Sequence, residues 1–599
     1  MHASVSIMSP RDFSSAHSDE ETSAPDTAPE TFPSEETSLL SLTSSKFNGH
    51  VVVPQKKQHG KDSGSWTFLA QQEVLEQSKT FLPALQSLIL SKVPWFITLR
   101  ILSAIDEGDS DEGNGGVELA GAALATTLCN VTGMSLCVGF SFALSTLAGQ
   151  AKGEMVSRVK ASAGYVEAGS AMEPTTEGAA DPEATPNTPI VFLLRGLLMQ
   201  QMLVLPVGTW WLFGIEDFLV RLGQTPELAV HAATYLKILA PSLWVYSIQW
   251  TTTAWINSIG MADVPARASL LGVVLHIPFN VFFCYVLGMG YLGCAVATVM
   301  FQTVQCLYIL SFCFGSSTGR RRVLESTGGF AVGRRSLTLL PELKIAGGSF
   351  RGFCDYLGLA IPGLVIISEW WASETAIFLS GRLSPDPQTA LAAMTIYQSI
   401  NSFCFMVPSG MSVAGTTRVG NLLGAGNAAA AKLAGTVSVG LCLFGSGLVG
   451  ALLYALPRGF FPDLFVSSSE NQAIVDQTAA TIPLLAIYVV ADGIQTGLNG
   501  IIKGCGRQRV VVPIVVVAYW VVGVPLAYYF GLYRPGGDDA MCSTHGGDMV
   551  LCGDVGLVAG MTTGTWVHML LLAAVVIGTT DWKAEAHKAQ QRVAVVDDH

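Results

Sequence analysis

Apolar residues along this chain gather into long blocks. Each is near the 20 or so residues that a helix needs to cross the hydrocarbon core of a bilayer. Reading forward, the blocks fall at 80–104, 118–147, 189–213, 229–257, 267–287, 291–315, 353–382, 387–414, 433–457, 473–500, 510–531 and 555–579. The pattern predicts an all-α polytopic membrane protein with about twelve transmembrane helices. The first block is the most broken, interrupted by Lys92 and Arg100, and an acidic insert, IDEGDSDEGNGGVE at 105–118, follows it. Residues 1–63 are rich in Ser, Thr, Pro, Glu and Asp, a composition that does not offset the entropy of ordering and reads as a disordered tail. No apolar stretch follows Met1, so no cleavable signal peptide is expected. Residues 580–599 read as a short polar tail.

Basic residues set an expected orientation. With both termini cytosolic, the connections after even-numbered helices hold Lys152, Arg158, Lys160, Arg267, Arg320 to Arg322, Arg334, Arg335, Lys344, Arg351, Arg418, Lys432, Lys503, Arg507 and Arg509. The other connections hold little beyond Arg221, Arg382, Arg458 and Arg534, the bias that the positive-inside rule describes. A repeat divides the chain in two. When the second helix slides onto the eighth, Asn130 falls on Asn401, Gly139 on Gly410, Ser141 on Ser412, Ala143 on Ala414, Thr146 on Thr417, Gly149 on Gly420 and Gly153 on Gly424. Those two helices run the same way, so the repeat is parallel, a mark of transporters that rock one half against the other. The expected domains are the tail 1–63, a first lobe 80–315 (helices 1–6), a cytosolic linker 316–352, a second lobe 353–579 (helices 7–12) and a cytosolic tail 580–599. The two pseudo-symmetric six-helix lobes should enclose a central cavity.

Composition narrows the class further. Of 599 residues only 13% are charged, against about 25% in soluble domains. A mean hydropathy of +0.45 excludes a water-soluble or wholly disordered chain, and a pI near 5.3 argues against a nucleic-acid partner. The 12 cysteines match no zinc signature. Cys542 and Cys552 share one polar loop, where they form either a disulfide or two free thiols.

The chemistry is concentrated where acids sit deep in apolar helices. Glu369 lies about 18 Å along the seventh helix and Asp492 about 16 Å before Lys503 on the tenth, both near mid-depth. Carboxyl groups placed there face a cavity, pair with a partner or carry protons. Glu374, five residues past Glu369, points about 140° away from it. Trp370 and Trp371 flank Glu369 and offer aromatic faces for an organic cation, or else fill space. Gln495 lies beside Asp492 at i+3. Tyr397, Gln398 and Asn401 lie on one side of the eighth helix, and Asn130 is the repeat partner of Asn401. His276 and His568 are lone intramembrane histidines that read first as satisfied packing residues, with a proton role as the alternative.

Four runs then carry a resemblance. EWWASETAIFLSG, MVPSGMSVAGTTRVGNLLGAGN, ELAGAALATTLCNVTG and DGIQTGLNGIIKGCGRQ resemble eukaryotic multidrug and toxic compound extrusion (MATE) transporters across most of 80–580. The resemblance implies twelve helices in two lobes and export of organic solutes against proton or sodium entry. It places Glu369, Glu374 and Asp492 at positions tied to coupling and substrate binding. The chain departs from the family at Gln398, where animal members carry Glu, and at Ser145, where many members carry Asp. The acidic insert replaces the Gly-His-Leu-Gly run usual after the first helix, and the insert between Met155 and Thr188 is unusual.

The expected function is therefore an antiporter that exports organic cations, xenobiotics or secondary metabolites in exchange for protons. Sodium remains a second coupling ion. A flippase for lipid-linked precursors and a non-transporting receptor or scaffold remain alternatives. No enzyme activity, cofactor or metal is expected. The expected partners are a small organic substrate and the lipid bilayer, and the chain is expected to be a monomer. The run EETSLL (35–40) resembles an acidic dileucine sorting signal, which leaves the plasma membrane and a vacuolar or endolysosomal membrane both open.

Overall fold

The computed structural model describes residues 66–597 except 109–114, 168–186, 330–335, 338, 466–471, 535 and 541–550. The N-terminal tail with its EETSLL run, residues 109–114 of the acidic insert, residues 168–186 of the second insert, and Cys542 lie outside the described residues. Cys552 is disulfide-bonded.

Twelve helices are long and apolar enough to span a membrane. They are α1 (Trp66–Leu102), α2 (Ala120–Arg158), α3 (Thr188–Phe213), α4 (Pro226–Ser258), α5 (Asp263–Val286), α6 (Tyr291–Gly315), α7 (Phe350–Ser380), α8 (Pro387–Gly424), α9 (Ala428–Ala455), α10 (Gln472–Cys505), α11 (Gln508–Tyr533) and α12 (Gly553–Thr579). Each apolar block of the sequence falls within or across one of them. Their apolar flanks are largely uncovered by protein. Phe213, Phe350, Phe378 and Ile577 are examples, as expected of a surface that meets lipid.

Several helices outrun the blocks that announced them. The 38 residues of α8 and 39 of α2 rise nearly twice the bilayer core, so their ends project into water. The first helix starts at Trp66, not near residue 80, because its polar first turns are pinned by packing. Arg418 of α8 donates a two-pronged pair of bonds to Glu73 (2.9 and 2.7 Å), and Gln77 donates to the Ala434 carbonyl of α9 (2.9 Å). The tail at 580–599 is likewise not merely polar chain. It forms a further helix, α13 (Trp582–Asp597), docked on the bundle. The inter-lobe connection carries two short helices, Ser317–Ser326 and Leu340–Gly348.

The buried core separates by half. One cluster runs from Ile366 to Ala589, and two others occupy the first half. The first helix of each half leans across to the other, α1 on α8 and α7 on α2. Accordingly Tyr356, Leu359 and Ala360, at the start of α7, belong to a first-half core.

The halves meet at one end of the bundle through the glycines of the repeat. A Cβ on Gly149 would lie 3.9 Å from the Gly420 Cα. A methyl group at Gly153 would strike the Asn421 carbonyl oxygen, and one at Gly424 would strike that of Gln150. Thr146 donates to the Lys503 carbonyl (2.6 Å), as its counterpart Thr417 does to that of Asn257 (3.1 Å). The α2–α8 seam is thus self-complementary about a pseudo-twofold axis. Glycine is required there because the two backbones touch.

α13 closes this end. Its Arg592 donates to the Cys505 carbonyl (2.9 Å), the Gly506 carbonyl (3.3 Å) and Gln150 Oε1 of α2 (3.3 Å). In the first half the equivalent turn after α4 is capped from within, by Lys152 Nζ on the Ile259 carbonyl (2.7 Å). Ala586 and Ala589 of α13 join the second-half core and Val593 joins the first.

Candidate functional site

Four helices of the second half bring one polar cluster together. Glu369 on α7 keeps 22% of its side chain exposed, whereas Asp492 on α10 is 4% exposed. Gln495, one turn past Asp492, is the link. Its amide donates to Glu369 Oε2 (3.2 Å) and Asp492 Oδ1 (3.1 Å), and its carbonyl accepts from the Tyr519 hydroxyl of α11 (3.2 Å). Tyr519 is also 3.3 Å from Thr565 of α12. His568, one turn further along α12, is fully buried and places Nδ1 3.5 Å from Glu369 Oε2. The Tyr519 and His568 rings meet edge to face at 5.5 Å. Both acids therefore face the interior of the bundle and not lipid, the arrangement that makes buried carboxyl groups tolerable.

Glu374 lies apart, as the helical angle requires. It accepts a bond from the Trp370 indole (2.8 Å), and Lys92 of α1 stands 5.5 Å from the Trp370 ring centroid. The face expected to hold an organic cation thus already carries an ammonium of the chain itself. Trp371 turns elsewhere and donates to Ser135 of α2 (3.3 Å). Neither tryptophan is an unengaged wall beside Glu369. Tyr397, Gln398 and Asn401 line a narrow cavity between α7, α8, α10 and α12, with Ser373, Tyr488 and Met561 opposite. Tyr488 is one turn before Asp492, so this cavity adjoins the acidic cluster. Asn130 opens a π-helical turn of α2, Asn130–Met134, and none of the bonds made by the three acids reaches it.

Two of the cluster's members were not placed with the acids by the sequence. His568 reads in the sequence first as a packing residue and second as a proton carrier, and it stands at ion-pair distance from Glu369. Tyr519 is one aromatic within an apolar run and gives no sequence signal at all. His276 lies in the first half, with its Nε2 within reach of Thr98 (2.9 Å) and Asn280 (3.0 Å).

A bundle of twelve spanning helices, built from two related halves and carrying buried carboxyl groups, is the architecture of a membrane transporter. A family model described as MatE matches residues 188–282 and 363–529. Protein DETOXIFICATION 12 of Arabidopsis thaliana is 28% identical over 484 residues, covering 80% of this chain and 85% of the relative. Protein DETOXIFICATION 13 of the same plant is 29% identical over 504 residues, covering 83% and 88%. Among solved structures, the eukaryotic MATE transporter AtDTX14 superposes with a TM-score of 0.69 at 23% identity, covering 88% of this chain and all of that one. The chain thus carries the MatE domain in two stretches and is similar to the DETOXIFICATION proteins over four fifths of its length, which makes it an integral multi-pass membrane protein of the transporter class.

Proposed function

We propose that this protein is an antiporter that exports organic solutes in exchange for protons by alternating access. The substrates are organic cations among xenobiotics or secondary metabolites. Both termini lie in the cytosol, on the side of the α2–α8 seam, where the basic residues collect. The observation that carries this reading is the Gln495 amide shared by Glu369 and Asp492. Two carboxylates on one donor repel each other, so a proton or a cation that joins the pair removes that cost. Competition of proton and substrate for the same acids supplies the coupling, provided the acids change surroundings between two states. Beside Glu369 stand the Gln495 amide and His568 Nδ1, and the Asp492 carboxylate shares that amide, an arrangement that can pass a proton between two acids and an imidazole.

Proteoliposomes with an imposed pH gradient test the proposal. The native chain should move a fluorescent organic cation, and Glu369→Gln should insert normally and lose gradient-driven transport. Undiminished transport by that variant would sink the coupling scheme. Lipid scrambling without cation movement would instead point to a flippase.

A further inference from the structure

At the seam end of the bundle, between α3, α7, the turn after α10 and α13, lies a second cavity of about 760 Å³. Its wall holds six cations: Arg195, Arg351, Arg507, Arg509, Lys588 and Arg592. Three carboxylates share it: Asp355, Asp581 and Glu585. The balance is uneven in geometry as well as number. Glu585 serves both Arg507 (3.9 Å) and Lys588 (2.9 Å). Among the described residues, no carboxylate lies within ion-pair distance of Arg195, Arg351, Arg509 or Arg592. Three of these four rest on neutral oxygens instead: Arg195 on the Ala346 carbonyl (3.4 Å), Arg509 on that of Gly358 (3.0 Å) and Arg592 on Gln150 and two carbonyls.

Arg195 is only 3% exposed and sits on a spanning helix seven residues past Thr188, about 10 Å in from the helix start. A guanidinium taken out of water there needs an anion to offset its desolvation, and Asp355 acts on it only from beyond ion-pair distance. Burial also depresses the pKa of Arg592 below the usual guanidinium value, with Glu585 opposing. The cavity lies among the ends of spanning helices α3, α7 and α10, where an anionic headgroup could reach it, and planar guanidinium forks match phosphate oxygens.

We infer that this basic cavity is a binding site for a phosphate group, that of an anionic phospholipid headgroup or of a free phosphate-bearing solute. The site is separate from the acidic cluster. Its occupant bridges α3 and α7 to α13 and so bears on the seam end, where the two halves meet.

The test uses the full chain purified in detergent. Dihexanoyl phosphatidic acid should raise the unfolding temperature, dihexanoyl phosphatidylcholine should not, and native mass spectrometry should retain the bound acid. Inorganic phosphate forms the second arm. An equal shift with phosphate alone assigns the site to a soluble phosphate, and a shift confined to phosphatidic acid assigns it to lipid. Arg351→Glu together with Arg509→Glu should reduce the shift by more than half. Arg351→Gln alone, at an exposed position, should weaken the apparent affinity about tenfold while the fold persists. No shift with either anion, or a full shift in both variants, overturns the inference.

Discussion

Removing the amide of Gln495 takes one donor from two carboxyl groups at once. Gln495→Leu keeps the volume but leaves Glu369 and Asp492 without their shared N–H, and Tyr519 without its acceptor. Unsatisfied buried polar groups cost about 1–3 kcal/mol each. The variant should therefore unfold at lower temperature in detergent, and its gradient-driven uptake should fall about tenfold or more, in line with lost coupling. Uptake at the native rate would show that the amide only fills space. At this scale the sequence is informative where physics makes a residue anomalous. Glu369, Glu374 and Asp492 stand out because acids are expensive in oil. Tyr519 does not, since an aromatic ring in an apolar run looks the same whether it packs or lines a site, and His568 stands out without its sequence showing which acid it faces. Lys92 reads as a break in a hydrophobic block, and only the fold shows it beside Trp370.

Among the elements, the α2–α8 seam is the most constrained. The backbones of the two helices touch where Gly153 faces Asn421 and Gly424 faces Gln150. A side chain at either glycine has no room, so Gly153→Val should hold the halves apart at this end. The expected result is a folded, membrane-inserted protein without transport, in which a cysteine placed at Gln150 becomes reactive to a water-soluble maleimide. Native transport by Gly153→Val would mean that the seam is not a working closure. The register of this contact is visible in the sequence as the recurrence of small residues between the second and eighth helices. Its meaning is not, because a repeat says which positions are equivalent and not that they meet. Helix ends are illegible for a related reason. The bilayer sets the length of the apolar block, while the start of α1 is set by Glu73 finding Arg418 across the fold.

For the whole molecule, the two halves are similar but not equal. The first caps the turn after α4 with its own Lys152, whereas the second borrows Arg592 from α13. Ending the chain at Asp581 should remove that cap, uncover the faces that receive Ala586, Ala589 and Val593, and lower the unfolding temperature by several degrees. It should also raise maleimide labelling at Gln150, because Arg592 no longer holds α2 to the end of α10. An unchanged melting curve and unchanged labelling would reduce α13 to a surface ornament.

That clasp has a practical edge for anyone handling the molecule. A purification handle or fluorescent protein fused behind α13 hangs its weight on the strap that ties both lobes together. Activity recorded from such a fusion reports the strap as much as the pump, and a handle ahead of α1 is the cleaner choice.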